Sequence, residues 1–289
     1  MLTILAPAKI NLTLEVLAER PDGYHEIRSV IQTINLCDHL RFRLSHNIKF
    51  RCDNPELVVE ESLMSRTTVL LQQATGCPKG ATIEITKRIP LTSGLGGGSS
   101  DAAAILYGLN RLWQLGLSPK ELVELAPRLG SDVAFFLCGG TALAEGQGEI
   151  ITPLPPLAHR WVVLVVPDVP REPGKTQKLY ASLRPSHYTD GQITERFIKA
   201  LKAGGEFKPS MLFNTFENVA FDRFSGLKVY KEHFIDLGVP NVHLAGSGPA
   251  LFSLAEDKAQ AEKLYGYLQK QGLESYLIET MAAIKEEGN

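Results

Sequence analysis

The sequence predicts an α+β protein of two domains, with a mainly antiparallel sheet in each half. Three observations carry that expectation. The chain has 289 residues, beyond the size at which one hydrophobic core usually stops growing. Period-two alternation, the mark of half-buried strands, recurs through the first half among segments of helical composition, and strand-like and helix-like segments follow one another in the second. The run Thr152-Pro153-Leu154-Pro155-Pro156 removes backbone donors and restricts φ, which suits a connection and sets the domains at 1–155 and 156–289.

Ile10, Leu12, Leu14 and Val16 alternate with Asn11, Thr13 and Glu15, and Pro21-Asp22-Gly23 supplies turn chemistry, so residues 4 to 34 read as strand, turn and strand. Alternation returns at Leu40, Phe42 and Leu44 and at Ala81, Ile83 and Ile85, with an apolar helical segment around Leu63 to Ala74 between them. Ala102 to Trp113 has helix-forming composition. Ser118-Pro119-Lys120-Glu121 places a capping serine, a proline at the first helical position and a glutamate three residues after the cap, which predicts a helix to about Leu129. Beyond the prolines, strands are predicted at Trp161 to Val166, Val242 to Ala245, Leu251 to Leu254 and near Tyr276. Helices are predicted near Lys175 to Leu183, Phe216 to Leu237 and Asp257 to Gln269. The sequence shows no internal repeat or low-complexity tract.

Hydrophobic residues at 44% and charged residues at 21% are globular values. Thirty basic against 32 acidic side chains leave a formal net charge of -2, which provides no global field to hold a nucleic acid against salt. The longest apolar strand-like run, Trp161 to Val166, is far short of a bilayer span, and Lys9 interrupts the stretch a signal peptide would need. A cytoplasmic protein with no membrane partner is expected. Cys37, Cys52, Cys77 and Cys138 form no C-x-x-C pair, so they are expected to be buried thiols rather than zinc ligands or disulfides. Asn11-Leu12-Thr13 matches a glycosylation acceptor too short a pattern to carry weight without secretion.

Gly94-Leu95-Gly96-Gly97-Gly98-Ser99-Ser100-Asp101 follows a predicted strand and feeds a predicted helix. A loop without Cβ atoms lets backbone N–H groups approach an anion, and the helix dipole favours negative charge there, so a nucleotide triphosphate is the natural occupant. The bland alternative is a glycine turn capped by Ser99 or Ser100, but four glycines in five positions exceed what a turn needs. The serine hydroxyls suit capping, phosphate binding or a share in holding Mg²⁺, and the sequence does not separate these roles. Established phosphate motifs fit poorly elsewhere. Gly174-Lys175-Thr176 has the tail of a Walker A loop, but Val169 stands where its first glycine belongs, and neither a dinucleotide fingerprint nor a hydrolase nucleophile elbow at Ser247 is complete.

The loop resembles the second motif of the GHMP kinases, Pro-x-x-x-Gly-Leu-Gly-x-x-Ser-Ser, present as Pro90 through Ser100. Ala6-Pro7-Ala8-Lys9-Ile10-Asn11-Leu12 is similar to the first motif of that family, and Leu244-Ala245-Gly246-Ser247-Gly248-Pro249-Ala250 to the third. Within the family, Arg20-Pro21-Asp22-Gly23-Tyr24-His25, the triple-glycine loop and Leu129-Gly130-Ser131-Asp132-Val133 resemble the branch acting on a cytidine diphosphate ester of methylerythritol. The resemblance implies ATP as donor, Mg²⁺, and phosphorylation of the 2-hydroxyl of 4-diphosphocytidyl-2-C-methyl-D-erythritol in the non-mevalonate isoprenoid route. It also implies an N-terminal domain with a left-handed βαβ crossover, a ferredoxin-like C-terminal domain, an active site in the cleft between those domains, and no obligate protein partner.

Carried over by position, the resemblance makes Lys9 and Asp132 the catalytic residues. Lys87 and the segment Pro90-Leu91-Thr92-Ser93-Gly94-Leu95-Gly96-Gly97-Gly98-Ser99-Ser100 become the ATP site, with Ser100 a possible metal contact. Asn11, Tyr24, His25, Thr176 and Tyr180 become the acceptor site, the rings holding cytosine. Taken alone, Asp132 reads as a capping or turn aspartate, Lys9 as a solvated strand lysine, and Tyr24 and His25 as ordinary turn residues. Their joint occurrence with the loop changes that reading, because a charge inside an apolar stretch is costly unless it has work to do. The sequence departs from the family at Ser131 and Ala134 around the aspartate, at Ser62-Leu63, at Asn214-Thr215-Phe216-Glu217 and along Pro167 to Lys175. The rivals are another GHMP kinase acting on a mevalonate-like or homoserine-like alcohol, a non-catalytic nucleotide sensor and, more distantly, a dinucleotide-binding oxidoreductase.

Overall fold

The computed structural model describes residues 1–57, 59, 62–170, 174–204, 208–239 and 241–282. The chain forms two compact units whose segments interleave along the sequence. The first holds Met1–Ala8, Leu36–Leu91 and Gly96–Cys138, and the second Lys9–Asn35, Thr92–Leu95 and Gly139–Asn289. This grouping by contact is a different partition from the division the proline run suggests, because the first two strands and the glycine loop each supply residues to both units.

In chain order the elements are β1 (Leu2–Glu19), β2 (His25–Ser45), β3 (Lys49–Cys52), α1 (Leu63–Thr75), β4 (Gly80–Thr86), α2 (Gly97–Trp113), α3 (Pro119–Leu125), α4 (Ser131–Cys138), β5 (Thr141–Gly146), β6 (Ile150–Pro153) and β7 (Trp161–Val165). They continue with α5 (Lys175–Ser182), α6 (Gln192–Lys202), β8 (Phe213–Asn214), α7 (Glu217–Arg223), α8 (Leu227–Asp236), β9 (His243–Leu244), β10 (Leu251–Ala255), α9 (Lys258–Lys270) and β11 (Ser275–Glu279). The expected α+β class is what the molecule has. None of the described helices is long and apolar enough to cross a membrane.

In the first unit, β4 lies antiparallel to the end of β2, with His39 opposite Thr86 and Ser45 opposite Gly80. It lies parallel to β3, so β3, α1 and β4 form a βαβ unit inside a sheet expected to be mainly antiparallel. Helix α2 packs on α1 and α4. Gly108 makes one close approach possible, since a Cβ there would sit 2.6 Å from the Phe42 ring. The capping box at Ser118 forms as predicted, Ser118 accepting from the Glu121 amide and Glu121 from the Ser118 amide. Helix α3 nevertheless ends at Leu125 and tightens into a 3₁₀ turn over Ala126–Arg128, because Pro127 has no N–H to continue the ladder.

In the second unit, β5 pairs with Ile27 to Gln32 of β2 and with β6. Thr152 and Pro153, expected in a connection, end the edge strand β6, where a missing N–H costs no ladder bond. A separate sheet runs in the order β11, β7, β10, β9 with antiparallel pairs, its strands falling where Trp161 to Val166, Val242 to Ala245, Leu251 to Leu254 and Tyr276 were expected to be extended. Its apolar face joins Leu14, Val16, Phe216, Phe234 and Leu264 in one core. The single helix predicted over Phe216 to Leu237 is two, α7 and α8, broken where Gly226 takes a left-handed φ of 88°. Helices α4 and α6 and the short strands β3, β5, β6 and β8 were not anticipated. The two-residue strand β8 is too short to show a period, and α6 buries only Thr194, Phe197 and Ile198. All four cysteines are free, but only Cys37 is buried while the other three are half-buried.

Candidate active site

The second unit gathers the end of the first motif from Lys9, residues Thr92–Leu95 of the glycine loop and the whole of the third motif. Strand β1 carries Lys9, only 5% exposed, whose amide donates to the Leu95 carbonyl at 3.0 Å. Its ammonium donates to Asn11 Oδ1 at 2.8 Å, and Asn11 Nδ2 donates in turn to Ser29 Oγ at 2.8 Å. Asn11 is thereby held in one orientation with its oxygen on the cation. The start of the glycine loop presses on the third motif, where a Cβ on Gly94, at φ 91°, would lie 2.0 Å from the Ala245 carbonyl oxygen. The Ala250 amide donates to the Ser93 carbonyl at 3.1 Å. Gly246, at φ 54°, allows the same closeness to the cation, its Cβ position being 2.9 Å from Lys9 Nζ. Only glycine permits these approaches and conformations together.

Two residues not assigned a role from the sequence shape this cluster. Asn214 donates to the carbonyls of Leu244 at 2.9 Å and Gly246 at 2.8 Å, and its own oxygen accepts from the Phe216 amide at 3.0 Å. Lys175 donates to the carbonyls of Thr92, at 2.7 Å, and Gly248. Burial, together with the charge of Lys9, pushes the Lys175 ammonium down to about 8. Asn214 was visible as part of a departing family segment. The Lys175 signal was the Walker-like Gly174-Lys175-Thr176, wrong as that motif yet adjacent to the glycine segments in space. Thr176 Oγ1 lies 2.8 Å from Ser247 Oγ, so the predicted acceptor-site threonine also meets the third motif.

The rings expected to hold the acceptor, Tyr24, His25 and Tyr180, all lie in the same unit. Asp22 and Gly23 make the predicted turn, with Asp22 accepting from the Tyr24 amide at 3.1 Å and Gly23 at φ 80°. Tyr24 is 59% exposed, a ring available to a ligand. The His25 imidazole stacks on Tyr180 with centroids 4.6 Å apart and planes at 25°. Tyr180 meets Phe216 edge-on at 4.9 Å. Thr176 and Tyr180, four residues apart on α5, share a helix face. Residues 171–173 of the segment Pro167 to Lys175 lie outside the described residues.

The first unit carries the rest of the loop. Gly96, at φ 75°, begins α2, and no side chain caps that helix start. The first-turn amides of Gly97, Gly98 and Ser99 are therefore left for a ligand, as an anion site requires. Ser100 donates to the Pro7 carbonyl at 2.6 Å and is 1% exposed, so its hydroxyl proton anchors the helix start to β1. Lys87 is also redirected. Its ammonium is buried between Asp38 and Asp101, the latter at 2.6 Å, rather than offered to a phosphate. Burial pushes the Asp101 carboxyl up to about 7 against the pull of the Lys87 charge. Lys87 Nζ would lie 3.6 Å from a Cβ on Gly97, so the lysine supports the loop from beneath. Asp132 sits in the first turn of α4, where a carboxylate complements the helix dipole. Among the described residues no three His, Cys, Asp or Glu side chains cluster to hold a metal.

The model of the GHMP kinases N terminal domain matches residues 62–140, and that of the GHMP kinases C terminal matches 197–273. A protein of Dehalococcoides mccartyi named 4-diphosphocytidyl-2-C-methyl-D-erythritol kinase is 45% identical over 284 residues, covering 98% of this chain and all of that one. A crystal structure of a 4-(cytidine 5'-diphospho)-2C-methyl-D-erythritol kinase superposes with TM-score 0.82 at 35% identity, covering 96% of this chain and 99% of the other. A homoserine kinase of Cytophaga hutchinsonii, at 20% identity and TM-score 0.71 over 95% of each chain, shares the fold. With relatives matched end to end above the level at which family membership is in question, the chain belongs to the 4-diphosphocytidyl-2-C-methyl-D-erythritol kinases of the GHMP kinase family.

Proposed function

We infer that the protein transfers the γ-phosphoryl group of ATP to the 2-hydroxyl of 4-diphosphocytidyl-2-C-methyl-D-erythritol, a small-molecule kinase step in non-mevalonate isoprenoid synthesis. The observation that carries this is the meeting of Lys9, the entrance of the glycine loop and the third motif through the Lys9–Leu95, Gly94–Ala245 and Gly246–Lys9 approaches. The relatives' names supply the acceptor.

Phosphoryl transfer passes through a loose transition state, so positioning and charge stabilisation outweigh proton abstraction. In this reading the glycine loop holds the donor phosphates through the first-turn amides of Gly97, Gly98 and Ser99. Lys9, oriented by Asn11, stabilises charge on the transferred group, and Asp132 orients the acceptor hydroxyl and takes its proton late. Tyr24, His25, Thr176 and Tyr180 hold the cytidylyl end, which spends remote binding energy on alignment. Mg²⁺ would supply positive charge to the ATP phosphates beside the serines at the start of α2. The reading keeps two domains, 1–155 and 156–289, which the family matches to 62–140 and 197–273 on either side of the proline run support. A cytoplasmic location fits a substrate pair of soluble anions.

The test is ATP-dependent phosphorylation of a panel of alcohols containing the cytidylyl ester, mevalonate and homoserine. Turnover confined to the cytidylyl ester is expected. Turnover of mevalonate or homoserine alone would overturn the acceptor assignment while leaving a GHMP kinase.

A further inference from the structure

Cytosine and uracil differ along one edge. Cytosine presents an acceptor at N3 beside an amino donor, whereas uracil presents a donor at N3 beside a carbonyl acceptor. A neutral imidazole carries one donor and one acceptor nitrogen, so a histidine that reads this edge discriminates only if its proton is fixed on a known nitrogen. What fixes it is the group bonded to the other nitrogen.

His25 is the first residue of β2, and one face of its ring is covered by Tyr180 at 4.6 Å. Polar recognition by this ring is therefore made in its plane. One in-plane position is taken, because the Tyr188 hydroxyl lies 3.3 Å from His25 Nε2, the two rings meeting edge-on at 6.0 Å and 74°. Nδ1 is left for a ligand. Tyr188 is firmly mounted. It follows the 3₁₀ turn Pro185–His187, its amide donates to the Pro185 carbonyl at 3.2 Å, and the next amide, of Thr189, donates to Val16 on β1 at 3.0 Å. Its ring packs against the core of the second unit.

We propose that Tyr188 is a positioning residue that donates its phenolic proton to His25 Nε2, holds the imidazole as the Nδ1–H tautomer and so selects cytosine over uracil. The proposal rests on the cytidylyl reading given above. A phenol is a stronger donor than acceptor, and an imidazole sp² nitrogen is among the best neutral acceptors in a protein, which sets the direction of the bond. Nδ1–H then meets the N3 lone pair of cytosine. Against uracil it faces N3–H, leaving two donors opposed and unpaired, the arrangement by which polar sites reject near-isosteres.

The experiment measures inhibition by CDP and UDP against the cytidylyl substrate, with KM for ATP, in the wild-type enzyme and in Tyr188→Phe, which keeps the ring and its packing. Nitrogen-15 NMR of His25 in the wild type reads the tautomer without any substitution. The wild type is expected to prefer CDP and to show Nδ1–H. Tyr188→Phe is expected to leave KM for ATP unchanged and to shrink the CDP-to-UDP preference by about five- to tenfold, the worth of one hydrogen bond. An unchanged preference in the folded variant, or an Nε2–H tautomer in the wild type, overturns the role of Tyr188 and leaves the cytidylyl reading standing. Equal inhibition by CDP and UDP already in the wild type overturns that reading itself, and the proposal with it.

Discussion

The Lys175 ammonium donates to the carbonyl oxygen of Thr92 at 2.7 Å and to that of Gly248, tying the entrance of the glycine loop to the third motif. Thr92 holds a left-handed φ of 53°, a strained conformation for a β-branched residue that surrounding contacts must maintain. The strap is one such contact.

Because burial and the charge of Lys9 lower the Lys175 pKa to about 8, the folded chain gives up this proton before the unfolded chain does. Between about pH 8 and pH 10 the unfolded state binds more protons at this residue, so its contribution to stability rises with pH across that window. Thermal unfolding across that range should show this slope in the wild type and lose it in Lys175→Met. A parallel pair of curves would remove Lys175 from the pH dependence.

Gly94 and Gly98 separate backbone need from nucleotide contact. At φ 91° and 2.0 Å from the Ala245 oxygen, a Cβ on Gly94 has no room, so Gly94→Ala should lower Tm and impair turnover together. At Gly98 a Cβ meets nothing within 4 Å, so Gly98→Ala should fold normally and raise KM for ATP by obstructing the phosphates. An unchanged KM in the folded Gly98 variant would move the nucleotide elsewhere.

Lys87→Met would strand the Asp38 and Asp101 carboxylates, both fully buried. Breaking a buried ion cluster from one side costs about 3–5 kcal/mol. Chemical denaturation should therefore show a large loss, whereas the kinetics of the folded fraction should change little. A stable variant that has lost only ATP affinity would return Lys87 to the phosphates.

Asp132→Asn and Lys9→Met should keep the fold and lower kcat by about 10² to 10⁴, the range usual for positioned acid-base and charge-stabilising groups. Circular dichroism and steady-state kinetics check both. Wild-type turnover in either variant would take that residue out of the chemistry.

Tyr24, 59% exposed, is dispensable to the core, so Tyr24→Ala should fold and bind ATP normally. Loss of a stacking ring should weaken the cytidylyl substrate by about 1–3 kcal/mol, by analogy with base stacking in single-stranded nucleic-acid sites. Calorimetric titration with CDP measures it, and undiminished binding would exclude Tyr24 from the base site.

Local chemistry determined what the sequence alone made legible. The alternation from Ile10 to Val16 foretold β1, Ser118 and Glu121 foretold the cap of α3, and the glycines of 94–98 foretold a loop feeding the start of α2, because each depends on neighbours within a few residues. The motifs around Lys9, Gly94 and Gly246 identified the family for the same reason. What tertiary structure decided was where charge is spent. Lys87 looks like a phosphate ligand in sequence but pairs with Asp38 and Asp101, and the Ser100 hydroxyl proton goes to the Pro7 carbonyl. Lys175 looks like the remnant of a wrong motif but reaches Thr92 and Gly248. Tyr188, unremarked in sequence, is brought 163 positions along the chain to His25. A charge or hydroxyl acts through whatever stands within about 3 Å of it, and for these side chains that neighbour is supplied by distant segments folding together, which no local pattern encodes.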